Sequence, residues 1–253
     1  MRAFRLIPVL LIHNQGVYKT KKFKRPIYIG DPINAVRLFN DLEVDEIIIL
    51  DIDASKNKTE PNFDFIEELA SEAFMPFAYG GGIQTIDQAQ KIIQLGAEKI
   101  VLNHQAHKNN SFISDCAKIF GSQSIVVSID YKKKIFSEEM LYDHVSEKIL
   151  NKTLIDSVLE SQKAGAGELM ITSVERDGQM EGMDTSIIKK VSSLLNIPAI
   201  LCGGIGSLIH IKKALQAGAE ALAAGSFFVF YGKQNGILIN YPKENELEKF
   251  LND

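Results

Sequence analysis

The chain repeats itself at a constant offset of 122 residues. Pro76-Phe77-Ala78-Tyr79-Gly80-Gly81-Gly82-Ile83 returns as Pro198-Ala199-Ile200-Leu201-Cys202-Gly203-Gly204-Ile205. Gly96-Ala97-Glu98 returns as Gly218-Ala219-Glu220. Glu46, heading Ile47-Ile48-Ile49-Leu50, returns as Glu168, heading Leu169-Met170-Ile171-Thr172. Three landmarks on one offset imply a duplicated unit. The units alternate short apolar runs with amphipathic stretches, as α/β folds do. Eight such runs read as strands: Leu6–Ile12, Glu46–Asp51, Phe77–Ala78, Lys99–Leu102, Ser124–Ile129, Glu168–Thr172, Ala199–Leu201 and Ala221–Ala223. Each is continuously apolar rather than alternating, the pattern of parallel strands covered on both faces.

Helical periodicity fills the gaps, over Asp31–Leu42, Asn62–Glu72, Thr85–Leu95, Ser111–Phe120, Lys152–Ala164, Thr185–Leu195 and Ser207–Ala217, with a last helix near Glu244–Phe250. Asp31-Pro32 is an N-cap followed by proline at the first helical position. Gly96, Gly165 and Gly218 stand just past helix ends, where a left-handed residue is favoured. An open doubly wound sheet would fit the alternation, but two equivalent four-strand halves close naturally into a barrel. The expectation is one (β/α)8 TIM-barrel domain over residues 1–253, built from two half-barrels. The length suits that fold.

Bulk charge excludes little beyond a nucleic-acid binder, since the net charge is -4. Two local basic runs, Lys19 to Arg25 and Lys132 to Lys134, read either as solvated loop charge or as attraction for a polyanionic ligand. Cys116 and Cys202 sit in apolar segments and read as buried free thiols. Neither a membrane span nor a cleavable leader is legible, so a cytoplasmic protein is expected.

Barrel active sites form where strands end. Here those ends carry Leu11, Asp51, Gly81-Gly82, Asn103, Asp130, Thr172, Gly203-Gly204 and Gly225-Ser226. Glycine lets backbone N–H groups approach a phosphate, and the following helix N-terminus adds positive charge. Gly81, Gly82 and Asn103 form one such set; Gly203, Gly204, Gly225 and Ser226 form its duplicate. Two sets on opposite sides of one mouth predict a long ligand with phosphate at both ends. Asp130 closes an apolar strand and reads as a general acid or base. Asp51 and Asp53 could support it or bind substrate hydroxyls. Asp177-Gly178 reads as a loop beside the second phosphate set. His13, His104, His107, His144 and His210 show no ligand spacing and read as loop or surface residues. No metal and no cofactor are expected.

Arg5-Leu6-Ile7-Pro8, Gly30-Asp31-Pro32, Gly80-Gly81-Gly82-Ile83, Ile129-Asp130, Gly165-Ala166-Gly167-Glu168 and Arg176-Asp177-Gly178 together resemble the cyclase subunit of imidazole glycerol phosphate synthase. The resemblance spans almost the whole chain. It implies a barrel that takes ammonia from a glutaminase docked on its far face, in a heterodimer. It implies that this ammonia attacks a bis-phosphorylated ribosyl substrate. It also implies an ammonia gate on the barrel floor, made here by Arg5, Glu46, Lys99 and Glu168. A loop lysine matches Lys19, and the carboxylate after strand five matches Asp130.

Two departures count against the usual cyclisation. Leu11 stands where the family carries its other catalytic carboxylate, and Phe136–Lys152 lacks the family's glycine-rich loop. Tyr28-Ile29-Gly30, Met75-Pro76, Ala78-Tyr79-Gly80 and Leu238-Ile239-Asn240-Tyr241-Pro242 are similar to a divergent branch that occurs with sugar amidotransferases. That branch implies ammonia supply for acetamidino-sugar formation. An active cyclase remains the alternative. An isomerase on the same scaffold would need no ammonia gate.

Overall fold

The computed structural model describes residues 4–133, 138–232 and 234–252. Lys134 of the second basic run and Phe136 at the start of the expected loop lie outside the described residues.

Eight parallel strands form a closed barrel: β1 (Arg5–His13), β2 (Ile47–Asp51), β3 (Phe77–Gly80), β4 (Lys99–Leu102), β5 (Ile125–Lys133), β6 (Glu168–Ser173), β7 (Ala199–Cys202) and β8 (Ala221–Ala224). Neighbours pair in chain order, and β8 returns to β1 with Arg5 beside Ala221. The seam between the halves is continuous, with Leu102 of β4 beside Val127 of β5; within the second half Asp130 of β5 stands beside Thr172 of β6. The duplication is exact in register at its centre. Strands β3 and β4 recur as β7 and β8 at the same offset, and helix Ile86–Gln94 recurs as Leu208–Gln216.

Helices α1 (Pro32–Asp41), α2 (Phe63–Glu72), α3 (Ile86–Gln94), α4 (Asn110–Phe120), α5 (Leu154–Ala164), α6 (Thr185–Ser192) and α7 (Leu208–Gln216) follow the first seven strands, and α8 (Glu244–Asn252) ends the chain. Asp31 caps α1 by accepting from the Asn34 amide at 2.8 Å, as its sequence implies. Gly165 ends α5 in the left-handed region at φ +105°. None of the described helices is long and apolar enough to cross a membrane.

Period-two alternation splits the apolar side chains into two cores. Leu6, Leu10, Ile47, Ile49 and Tyr79 point out, against helix residues such as Phe39, Ile66 and Leu69. Ile7, Val9, Ile48, Val101, Met170 and Ile200 point in and fill the barrel. Each fully buried Leu or Ile contributes about 1.5–3 kcal/mol. The inward face of β1 therefore reads Arg5, Ile7, Val9, Leu11 from floor to mouth, which fixes what a molecule crossing the barrel meets.

Two expectations need correction. The Lys19–Arg25 run is not loop charge but part of an antiparallel hairpin of strands Gly16–Lys21 and Lys24–Gly30, and Lys19 is buried. Its turn, Lys22-Phe23, has positive φ at both residues without glycine or asparagine. That turn chemistry gave the sequence no hairpin signal. A tertiary tie holds it instead: the Lys22 amide donates to the Asp177 carbonyl at 3.0 Å. The segment after β5 is likewise a hairpin, Glu139–Asp143 with Lys148–Thr153. It draws β5 on past Asp130 and delays α5 to Leu154, with Thr153 as its cap.

Candidate active site at the barrel mouth

A cavity opens at the C-terminal ends of the strands. Of the fifteen strand-end and loop residues singled out in the sequence, fourteen line it and Asp53 does not. Leu11, Lys19, Asp51, Asp130, Thr172 and Asp177 supply its side chains, with Asn103 and Ser226. Gly81, Gly82, Gly178, Gly203, Gly204 and Gly225 supply backbone. The floor residues Arg5, Glu46, Lys99 and Glu168 do not reach it.

The paired glycines are required by close approach. A Cβ on Gly81 would stand 2.6 Å from the Asp51 carbonyl oxygen, and φ is +130°. Its duplicate Gly203 has φ +100° and would place a Cβ 2.8 Å from the Ser173 carbonyl oxygen. Both turns bring backbone to the cavity wall, and the Gly82 amide donates to Ser55 Oγ at 3.3 Å.

Asp130 lies at the cavity base and is buried. Its Oδ2 accepts from Asn103 Nδ2 at 2.9 Å. Burial pushes its pKa up to about 7; bonds from Asn103 and Thr172 only partly oppose this, and Asp177 adds repulsion. It is therefore poised to hold or release a proton near neutrality. Lys19 is also buried, and its ammonium donates to the Val9 carbonyl. Desolvation brings its pKa down to about 8 against the pull of Asp177. Burial also raises Asp51, whose carboxylate accepts from the Asp53 and Ala54 amides at 2.9 and 3.0 Å. Asp53 itself turns away from the cavity and pairs with His13 at 2.7 Å.

Asp177 does more than flank a phosphate set. Its carboxylate accepts from Thr20 Oγ1 at 2.8 Å and the Phe23 amide at 3.2 Å, pinning the first hairpin over the mouth. Gly178 permits this, because a Cβ there would meet the Thr20 carbonyl. Leu11 lies on the inward face of β1 at cavity level, beside Leu50, and brings no titratable group. Cys202 is half-buried and lines the cavity rather than being enclosed.

Three of the five histidines, His104, His107 and His144, face inward rather than outward. His107 is held inside by a bond between Nε2 and the Ser128 carbonyl at 2.9 Å, and burial lowers its pKa to about 4. His104 and His144 both line the cavity. Spacing could not reveal them, since His144 reaches the mouth only through the unforeseen second hairpin. Among the described residues, no group of three or more His, Cys, Asp or Glu could hold a metal ion.

At the opposite end, Arg5 bridges Glu46 at 3.1 Å and also pairs with Glu168. Glu168 is buried and binds Lys99 through its other oxygen at 2.7 Å. The arrangement is an open chain, Glu46–Arg5–Glu168–Lys99. Glu168 takes both cations, and among the described residues no ion pair closes the Lys99–Glu46 side. Burial is costly for the Arg5 guanidinium, but the two carboxylates outweigh it and raise its pKa.

A duplicated barrel with this mouth and this floor narrows the relatives, and comparison decides. The profile of histidine biosynthesis proteins matches residues 5–235. The chain belongs to that family. Within the family it is a homologue of the HisF subunit of imidazole glycerol phosphate synthase. It is 35 % identical over 224 residues to imidazole glycerol phosphate synthase subunit HisF of Exiguobacterium sibiricum, covering 88 % of this chain and 90 % of that one. It is 47 % identical over 246 residues to a Leptospira borgpetersenii protein provisionally named as that subunit, covering 96 % and 97 %. A Pseudomonas aeruginosa protein provisionally named subunit hisF2 is 43 % identical over 245 residues, covering 96 % and 98 %.

Proposed function

We propose that this HisF homologue is the ammonia-delivering subunit of an amidotransferase, and that it serves acetamidino-sugar formation rather than histidine cyclisation. The carrying observation is the contrast along the inward face of β1. Its floor end, Arg5, keeps a full set of charged partners, whereas its mouth end, Leu11, lacks any group that can move a proton. Two carboxylates with separate tasks are the usual acid–base device, and of the two positions compared here, 11 and 130, only the second carries one.

In this reading a glutaminase seats on the floor face. Exposed apolar side chains at the helix C-terminal ends support it: Leu42, Phe74, Ile119 and Leu194 all lie on the floor side, and Phe74 is 87 % exposed. Ammonia passes the ionic chain and then the apolar interior of Val9, Ile48, Val101 and Met170. An ion there would lack a counter-charge, so the interior favours the neutral molecule. A buried ion chain seldom improves stability over apolar packing, which supports a role in admission. At the mouth the two glycine cradles hold a ligand with two phosphates, or persist as inherited scaffold. The acceptor would be a sugar amidotransferase or its substrate. The alternative, an active cyclase, is favoured by one observation: the mouth groups other than position 11 are all in place around Asp130.

The test is assembly. Co-expressed with the glutaminase of its own genome, the chain should sediment as a 1:1 complex, and Phe74→Asp should weaken it at least about tenfold. Absence of any complex would remove the basis for ammonia delivery.

A further inference from the structure

Two polar atoms at the mouth are left without the partners their chemistry requires. His144 Nδ1 and Asn103 Oδ1 are buried and make no hydrogen bond. Both belong to side chains gathered around Asp130. Asn103 donates to Asp130 Oδ2 through Nδ2 at 2.9 Å. His144 Nδ1 stands 3.8 Å from the same oxygen, too far for a direct hydrogen bond. Buried polar atoms are almost always paired, so exceptions call for a partner that arrives.

His144 is held in that position by its surroundings. Asp143 beside it takes His104 Nδ1 at 2.9 Å and accepts from the Val145 and Ser146 amides at 3.2 and 3.1 Å. Glu147, at the far side of the turn, pairs with Lys56 at 3.1 Å. The turn is thus tied to the segments that follow β4 and β2. The turn that carries His144 is braced, and its side chain lines the cavity with Nδ1 buried and unpartnered.

We propose that His144 is the second proton-handling residue of the mouth, acting together with Asp130 on a ligand held between them. The inference rests on the reading that ammonia meets an acceptor at this mouth. A ligand carbon that carries both the incoming nitrogen and the carbonyl oxygen fits the pair, with the nitrogen about 2.8 Å from Nδ1 and the oxygen about 2.8 Å from Oδ2. An acceptor carbonyl that takes up ammonia needs two proton transfers. The nitrogen–carbon bond forms as the carbonyl π pair moves to oxygen. The neutral imidazole takes a proton from the new ammonium, and the Asp130 carboxyl gives one to the oxygen. The pair is left as imidazolium and carboxylate, and passing the proton from Nδ1 back to Oδ2 resets it. The ligand class is therefore a carbonyl or amide compound that accepts nitrogen. The mouth then has a second proton-handling group beside Asp130 despite Leu11, and both come from the β5 side.

Ring-15N histidine NMR on the full chain tests this without glutaminase or ligand, so failure of the ammonia-delivery reading leaves its outcome untouched. The groups facing His144 are Asp143 and Glu147 on its own hairpin, His104 and His107 from the segment after β4, Lys56 from the segment after β2, and Asp130. His144→Gln identifies the resonance. In the wild type, His144 should titrate in two steps between pH 4 and 9, and Asp130→Asn should leave one. A single step at the same pH in both proteins would overturn the proposal. Should Asp130→Asn fail to fold, the Asp130 carboxyl 13C titration is compared between wild type and His144→Gln. A shifted midpoint supports coupling, and an unchanged one overturns it.

Discussion

The floor chain allows the sharpest separation of stability from use. Glu168 is the hinge of that chain, since one buried carboxylate binds both Arg5 and Lys99. Glu168→Gln keeps the shape and removes the charge. Breaking a buried ion pair costs about 3–5 kcal/mol. Arg5 and Lys99 keep some solvent access, which places the loss near the low end, at about 3 kcal/mol. With a urea slope of about 3 kcal/mol/M for a chain of this size, the midpoint should fall by about 1 M. The quadruple replacement Arg5→Met, Glu46→Leu, Lys99→Met and Glu168→Leu should behave in the opposite way. It removes every charge together, leaves none orphaned, and should unfold within about 1 kcal/mol of the wild type or above it. The assay is equilibrium urea unfolding followed by circular dichroism. If the quadruple variant is less stable than Glu168→Gln, the ionic chain is a stabilising device, and the inference that it persists for ammonia admission fails.

Other outcomes follow from the mouth. Asp130 has a folded pKa near 7, against about 3.9 unfolded, so the folded state binds the extra proton between those values. Wild-type stability therefore falls as pH rises across that window, and Asp130→Asn should gain on it from pH 4 to 7, by a few kcal/mol in order of magnitude, then plateau. Lys19 has a folded pKa near 8, against about 10.4 unfolded, and here the unfolded state binds the extra proton. The wild type should gain on Lys19→Met between pH 8 and 10, read from thermal midpoints. Inorganic phosphate should bind at two sites by calorimetry. Gly81→Ala and Gly203→Ala should each remove one site and cost about 1–3 kcal/mol of stability, because a Cβ meets backbone at positive φ. Retention of both sites in either variant would contradict the cradle geometry.

The duplication made most of the architecture legible. A constant offset fixed strands β3, β4, β7 and β8 within a residue or two, and with them the glycine turns at the mouth. What escaped the sequence were the two hairpins. Lys22-Phe23 carries no turn residue, and its fold is imposed by Asp177, more than 150 positions away. The second hairpin has no alternation that stands out from its polar surroundings, so His144 looked like a surface histidine. Asp177 was found, but its task was only half seen: a carboxylate that bonds hydroxyl and amide donors of one hairpin cannot be distinguished by sequence from one that awaits a ligand. The ionic floor was legible as four residues, yet its connectivity depends on which carboxylate is buried, and burial is a tertiary property.

The central claim is that this barrel delivers ammonia and does not perform the family's cyclisation. It is tested most directly by incubating the purified chain with the bis-phosphorylated ribosyl substrate of imidazole glycerol phosphate synthase and excess ammonium salt at pH 8.5, about where free ammonia and ionised Asp130 coexist. The account predicts no imidazole glycerol phosphate above the no-protein control. Steady, multiple-turnover formation of that product by the wild-type chain, with leucine at position 11, would contradict it.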